Sequence, residues 1–74
     1  MTKWEYLDLS VDADKSMPRW LNGVEIRNWK QGMGTIAYCN KLGEEGWEVI
    51  NRLPVYYSGG GLSWYSILFK RPKP

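Results

Sequence analysis

The feature that most restricts this chain is that it contains one cysteine, Cys39, and no histidine. A single cysteine cannot form an internal disulfide bond, and both the usual zinc sites and histidine-dependent catalysis need side chains that this sequence lacks. The 74 residues must therefore be held by one small apolar core, since a chain of this size buries only roughly 60% of its extended surface on folding. We expect a single domain over residues 1–74 that gains stability by packing against copies of itself.

The charges give little indication of a polyanionic or membrane partner. Ten lysine and arginine residues stand against eight acidic residues, for a net charge of +2. The basic excess lies at the end, in Lys70, Arg71 and Lys73, and is too small to predict a nucleic-acid interface, so nucleic acid is unsupported rather than excluded. No apolar run approaches the roughly 20 residues that span a bilayer. With one cysteine and no signal peptide at Met1, we expect a cytoplasmic protein.

Before the helix, the apolar residues alternate as they do in half-buried strands. Residues 3–11 predict a strand, and the polar residues 12–18 predict an exposed, mobile loop. Asn22-Gly23 predicts a hairpin between strands 17–21 and 24–26, because this pair tolerates positive φ at both positions. The two faces of the first strand carry, respectively, Leu7, Leu9 and Val11, and Trp4, Tyr6 and Asp8.

Residues 35–42 have the pattern of a short helix. Thr35 is placed to cap its N-terminus, and Gly43 to take the left-handed conformation after its end. Ile36, Cys39 and Leu42 are expected to face inward. Because a helix this short is not stable alone in water, it must lie on the sheet.

Two more strands are predicted after the helix. Residues 47–52 form the first, which Pro54 ends, with Trp47 and Val49 on one face and Ile50 opposite. The glycine-rich residues 58–61 predict a loose tip, and residues 62–71 the last strand. The fold class is therefore α+β, a small antiparallel β-sheet with one short helix packed on one face and a β-hairpin inserted before the helix. One helix covers only part of such a sheet, so we expect the remainder to meet a second chain.

Three motifs occur in order: Trp4-Glu5-Tyr6, then Leu42-Gly43-Glu44-Glu45-Gly46-Trp47-Glu48, then Phe69-Lys70-Arg71-Pro72. Together they resemble the small family catalogued as domain of unknown function 4177, over nearly the whole chain. The resemblance implies this fold and brings no established activity. We interpret the central motif as structural, with Gly43 closing the helix, Gly46 allowing the reversal and Trp47 packing between helix and sheet, while Glu48 points outward.

The sequence favours binding over catalysis. The carboxylates of Glu44 and Glu45 are expected in an exposed turn with ordinary acidity, and Cys39 has no histidine to act as its base. We therefore expect no enzyme activity, no metal and no cofactor.

Tryptophan and tyrosine, at five residues each, are unusually abundant. Aromatic rings beside guanidinium groups suit a planar anion, which stacks on one and pairs with the other. The basic and aromatic candidates are Arg19, Trp20, Arg27, Trp29 and Lys30 before the helix, and Arg52, Tyr56, Tyr57 and Trp64 after it. The predicted ligand-binding residues are Arg27, Trp29, Lys30, Arg52, Tyr57 and Trp64.

These observations lead to two functional hypotheses. The first is a non-enzymatic homo-oligomeric binding protein, a homodimer or larger, that sequesters or senses a small anionic, nucleotide-like ligand near a subunit interface, with residues 58–61 as a possible flap. The alternative is a protein-interaction module that inhibits or adapts a partner protein through an exposed Trp/Tyr patch. Many of the rings are equally suited to fill the core or a dimer interface.

Overall fold

A computed structural model describes residues 1–54, 56–57, 59–61 and 63–74, without the side chain of Tyr56. It confirms the α+β class, with an antiparallel sheet and one short α-helix among the described residues. The elements in chain order are β1 (Trp4–Asp12), β2 (Met17–Leu21), β3 (Val24–Glu25), a 3₁₀ turn (Trp29–Gln31), α1 (Thr35–Glu44), β4 (Glu48–Arg52), β5 (Tyr56–Tyr57) and β6 (Ser63–Pro72).

The sheet is organised around its longest pair, β1 and β6. The strand order is β3-β2-β1-β6-β4, and β5 pairs with β6 as well. The β1–β6 register runs from Trp4 opposite Pro72 to Asp12 opposite Trp64. Just beyond it, the Lys73 N–H donates to the Lys3 carbonyl oxygen over 2.8 Å. The first and last residues of the chain therefore meet at one end of the sheet.

The core lies between α1 and the aliphatic face of the sheet, as the alternation in β1 predicts. We call this the helix side, and the opposite face the helix-free side. The buried core residues are Leu7, Leu9, Val11, Leu42, Ile67 and Phe69.

The β2–β3 hairpin forms as predicted, with Asn22 at φ 51° and Gly23 at φ 83°. The strand predicted over residues 17–21 is confirmed by β2, whereas the loop predicted over residues 12–18 is shorter at both ends. Asp12 is buried within β1, and Met17 already begins β2. The Asp12 carboxylate accepts the N–H of Lys15 at 2.9 Å, and this side-chain contact closes a tight turn where the polar sequence indicated a long loop.

The helix differs from its prediction at both ends. Gly34, not Thr35, is the N-cap residue, and the Thr35 hydroxyl donates instead to the Ser16 carbonyl oxygen at 2.8 Å. At the other end α1 continues through Gly43 to Glu44, and Gly46, at φ 93°, takes the left-handed conformation that the prediction gave to Gly43.

The inward face of α1 is also different from the predicted one. Ile36 is 75% exposed, whereas Tyr38 and Cys39 pack on the core beside the buried Leu42. Positions three apart drift around a helix of 3.6 residues per turn, so Ile36 and Leu42 cannot share a narrow contact stripe. The stripe that contacts the sheet uses spacings of three and four.

A β-bulge in β4 changes which side chains share a face. Val49 lies opposite Phe69 and Asn51 opposite Leu68, with Ile50 as the extra residue. Arg52 is consequently opposite Ile67, so its side chain lies on the helix side together with that of Val49. In a strand without the bulge, simple alternation would have placed Arg52 and Val49 on opposite faces.

The tip after β5 is only partly described. Ser58 and Leu62, which belong to the predicted tip and last strand, lie outside the described residues, as does Val55. Gly59 and Gly60 form a turn, and the described part of the last strand begins at Ser63.

Gly46→Ala is expected to destabilise the protein by about 1 kcal/mol, because an alanine is strained at positive φ. Gly43→Ala is the matched control: its added Cβ meets nothing within 4 Å, and alanine is the better helix former, so this variant is expected to be as stable as the parent or slightly more. Urea unfolding followed by tryptophan fluorescence measures both. Equal losses in the two variants would contradict the assigned helix end.

Candidate functional site

Arg71 connects the three motifs and holds the end of the helix to the sheet. Its Nε donates to the Glu5 carboxylate, and its Nη1 donates to the Glu45 carbonyl oxygen over 2.8 Å. Its guanidinium carbon lies 4.3 Å from the centre of the Trp47 ring. Each of the three motifs thus contributes to one cluster, which packs Trp47 against the core. This geometry supports the structural roles predicted for Gly46 and Trp47, whereas Gly43 does not close the helix.

Arg19 lies between two tryptophan rings. Its guanidinium carbon is 4.5 Å from the centre of the Trp20 ring and 4.6 Å from that of the Trp29 ring. The same group is 3.0 Å from the Glu25 carboxylate and 3.7 Å from that of Asp12. Trp29 is only 8% exposed, so this predicted ligand-binding residue is covered by a side chain of its own chain.

Arg19→Gln is expected to lower the free energy of unfolding by about 2 kcal/mol, because it leaves the buried Asp12 carboxylate without its cation and removes the group between the two rings. Arg27→Gln, at an exposed arginine, is expected to change it by less than about 0.5 kcal/mol. Chemical denaturation measures both values. If Arg19→Gln lowers the free energy of unfolding no more than Arg27→Gln does, the position of Arg19 between the two tryptophan rings contributes nothing to stability.

The six predicted ligand-binding residues do not form one site within a single chain. Arg27, Trp29 and Lys30 follow β3 at one edge of the sheet, whereas Arg52 and Tyr57 belong to β4 and β5 beyond β6. Within the first group, Lys30 Nζ lies 5.7 Å from the centre of the Trp29 ring, so the structure brings these two predicted residues together.

Trp64 occupies a third position, in the packed part of the helix-free side. It lies opposite Asp12 in the β1–β6 register. Its ring meets the Trp20 ring edge-on, with the centres 6.1 Å apart. This contact supports a packing role for Trp64.

The open basic and aromatic group lies at the β4–β5 edge. The Arg52 guanidinium carbon is 4.3 Å from the centre of the Tyr65 ring. Tyr57 lies opposite Ser63, and Arg52 opposite Ile67, so both share the helix side with Tyr65. Tyr57 is 80% exposed. We call Arg52, Tyr57 and Tyr65 the Arg52 site.

Charge pairing separates this site from the other arginine clusters. Among the described residues, the ion pairs within 4.0 Å involve Arg19 and Arg71, and none involves Arg52. An anion can therefore approach Arg52 without displacing an internal carboxylate. Sequence reasoning found Arg52 and Tyr57 but did not include Tyr65, since the bulge that brings Arg52 onto its ring leaves no clear signal in the sequence.

The acidic side chains and the single cysteine are the groups to consider for a metal site or a nucleophile. They contain no group of three or more acidic or cysteine side chains placed to hold a metal ion. Cys39 is half-buried, and burial raises the pKa of its thiol. The protonated thiol is a poor nucleophile.

Thiol–disulfide exchange of Cys39 with a small disulfide reagent at mildly alkaline pH is expected to be several-fold slower in the folded protein than in concentrated urea, because the raised pKa lowers the thiolate fraction and packing limits access. The folded rate should also begin to rise at higher pH than the unfolded rate. A disulfide reagent that releases a coloured thiol measures both rates. Equal rates in the two states would contradict the assigned burial.

Comparison with known protein families, with curated proteins and with solved structures gave no significant match for this chain. Within the described residues, α1 and the 3₁₀ turn are both too short to be membrane-spanning helices.

Proposed function

We propose that this chain is a non-enzymatic, homo-oligomeric binding protein that captures a small planar anion, such as a nucleotide, at the Arg52 site near a boundary between copies. The observation that carries the proposal is the Arg52 guanidinium, held 4.3 Å from the Tyr65 ring centre and without an ion pair among the described residues. We also propose a cytoplasmic location, where the single cysteine stays reduced.

The chemistry of the Arg52 site fits this ligand class. A guanidinium group donates two parallel hydrogen bonds to a phosphate, and its contact with Tyr65 orients it before the ligand arrives. The exposed Tyr57 ring provides a stacking surface on the same side of the sheet for a base or another flat ring.

The amount of exposed surface supports self-association. The chain exposes 5219 Å², whereas a folded monomer of its mass is expected to expose about 4,700 Å². The excess of about 500 Å² approaches the roughly 800 Å² that each partner contributes to a standard interface. On β4, Val49 is 52% exposed on the same side as Arg52. An interface there would lie beside the Arg52 site.

The edge of β4 indicates how two copies would meet. Its bulge at Ile50 interrupts the regular ladder, and the Arg52 N–H donates to the Asn51 side-chain oxygen at 2.8 Å. Both features oppose the addition of another strand. We therefore propose that copies meet through side chains such as Val49 rather than by extending the sheet.

Nucleotides and cyclic dinucleotides are expected to raise the melting temperature, since a ligand at one hundred times its Kd stabilises by about 2.7 kcal/mol. Arg52→Gln is expected to weaken binding roughly tenfold to hundredfold, because a charged hydrogen-bond donor is lost. Lys41→Gln, on the helix, serves as the charge control. Arg27 belongs to the set of ligand-binding residues predicted from the sequence but not to the Arg52 site, so Arg27→Gln is expected to leave nucleotide binding unchanged. No binder tighter than about 1 mM would contradict the ligand proposal and favour the protein-interaction module instead.

Light scattering at micromolar concentration is expected to report at least twice the chain mass of 8.6 kDa. Val49→Lys is expected to shift the protein toward monomer, because it places a charge in the apolar contact. Val24→Lys, at an exposed valine on β3, is the matched control and should leave the mass unchanged. A monomeric parent protein would contradict self-association without bearing on nucleotide binding.

A further inference from the structure

Asp14, in the turn between β1 and β2, is held beside the Arg52 site by Ser63, the first residue of β6. The Ser63 carbonyl oxygen accepts the Ala13 N–H at 3.0 Å, and the Ser63 hydroxyl donates to the Asp14 carboxylate over 3.4 Å. Ser63 also lies opposite Tyr57 in the β5–β6 register. The β1–β2 turn and β5, which are distant in sequence, therefore meet at this serine.

The side chains of Tyr57 and Ser63 are close because the two residues form a non-hydrogen-bonded pair. The Ser63 carbonyl points to Ala13, on the β1 side of β6, and so away from β5. Cα atoms in such a pair are about 4.5 Å apart, and the side chains are closer than in the alternate kind of pair. Ser63 is only 7% exposed, whereas Tyr57 and Asp14 are exposed. An open ring and an open carboxylate thus border one buried serine.

Arg52 approaches this end of the sheet through its side chain. Its backbone lies opposite Ile67, and the Cα atom of Ile67 is about 13 Å along β6 from that of Ser63. The guanidinium group, however, lies over the ring of Tyr65, whose Cα atom is only about 6.7 Å from that of Ser63. The cation and the carboxylate are therefore separated by a length similar to that between the phosphate and the base of one nucleotide.

The two ends of this surface carry opposite charges. Among the described residues, no ion pair within 4.0 Å involves either Asp14 or Arg52. A phosphate is attracted by the guanidinium group and repelled by the carboxylate, so it is held at the Arg52 end. The flat ring of the ligand then lies over Tyr57, with its edge toward Asp14. An ionised carboxylate can only accept hydrogen bonds, and the edge that faces it must donate.

We propose that Asp14 sets the specificity of the Arg52 site, which selects a nucleotide whose base carries an exocyclic amino group, as adenine and cytosine do. The amino group donates to Asp14, the ring stacks on Tyr57, and the phosphate pairs with Arg52. A base with a carbonyl oxygen in place of the amino group binds less well, because two acceptors then face each other. The inference rests on the function proposed above and adds the class of base.

Titration calorimetry with two pairs of nucleotides tests this specificity. Adenosine and inosine monophosphate differ by an amino group in place of a carbonyl, and so do cytidine and uridine monophosphate. The amino member of each pair is expected to bind roughly tenfold more tightly. Asp14→Asn should bring the ratio within a pair to about one, because an amide can accept from an amino group or donate to a carbonyl. The ratio is the readout, since loss of the Asp14 charge tightens binding of every phosphate equally.

Two further variants serve as controls, with circular dichroism to confirm that each variant folds. Glu44→Gln removes a negative charge at the end of the helix, at the opposite end of the sheet from the β1–β2 turn, and should leave the ratio unchanged. Arg52→Gln should weaken both members of a pair by the same factor, because they share the phosphate that Arg52 contacts.

Three results would overturn the assignment of Asp14. Equal affinity within each pair, with both members still weakened by Arg52→Gln, would contradict the role of Asp14 and leave the proposed function standing. A preference for the amino member that persists in Asp14→Asn would show that the base is distinguished elsewhere. Failure of all four nucleotides to bind more tightly than about 1 mM would instead contradict the proposed function, and the specificity with it.

Discussion

The pairing of β1 with β6 is the constraint on which the rest of the structure depends. It joins residues near the two ends of the sequence in one continuous register. The pair supplies most of the buried side chains, and it carries β2 on one side and β4 with β5 on the other. It also brings Arg71 to Glu5 and Lys70 to Trp4. The Arg52 site includes Tyr65 of β6, so it is positioned by this long-range pairing rather than by any local motif.

The same combination of cation and ring has different consequences in different parts of the molecule. Arg19 and Arg71 each lie on tryptophan rings and also contact carboxylates. There the positive charge is paired with an acid of the same chain, and the rings are buried or half-buried. Arg52 and Lys70 also lie on rings, but no ion pair among the described residues involves them. The presence or absence of an ion pair therefore separates the Arg19 and Arg71 clusters from Arg52 and Lys70.

The sequence predicts the strands and the hairpin because their signals are local. Alternation in β1 and the Asn22-Gly23 pair each act over a few residues, and the structure has both. The helix is less predictable because its ends depend on distant contacts. Thr35 donates to Ser16 instead of capping, and the cluster of Arg71 with Glu45 and Trp47 follows a helix end that lies beyond Gly43.

The candidate sites are still harder to predict from the sequence. Arg52 reaches Tyr65 because of one extra residue in β4, and a bulge of this kind has no reliable pattern in a single sequence. Trp29 was a reasonable ligand-binding candidate by residue type. Its burial depends on Arg19, which lies on a neighbouring element and is drawn into place by Asp12 and Glu25.

The exposed rings are difficult to explain by stability alone. Burying apolar surface contributes about 25 cal/mol per Å², and a chain without a disulfide bond depends on that contribution more than most. The fold nevertheless buries Trp29 and leaves Tyr6 and Tyr57 mostly in solvent. Tyr6 lies opposite Lys70, and Tyr57 shares the helix side with Arg52, four positions away along β6. Neither cation has an ion pair among the described residues. Packing within the chain alone would have placed such rings against the core, and the proposed binding function offers a reason for their exposure.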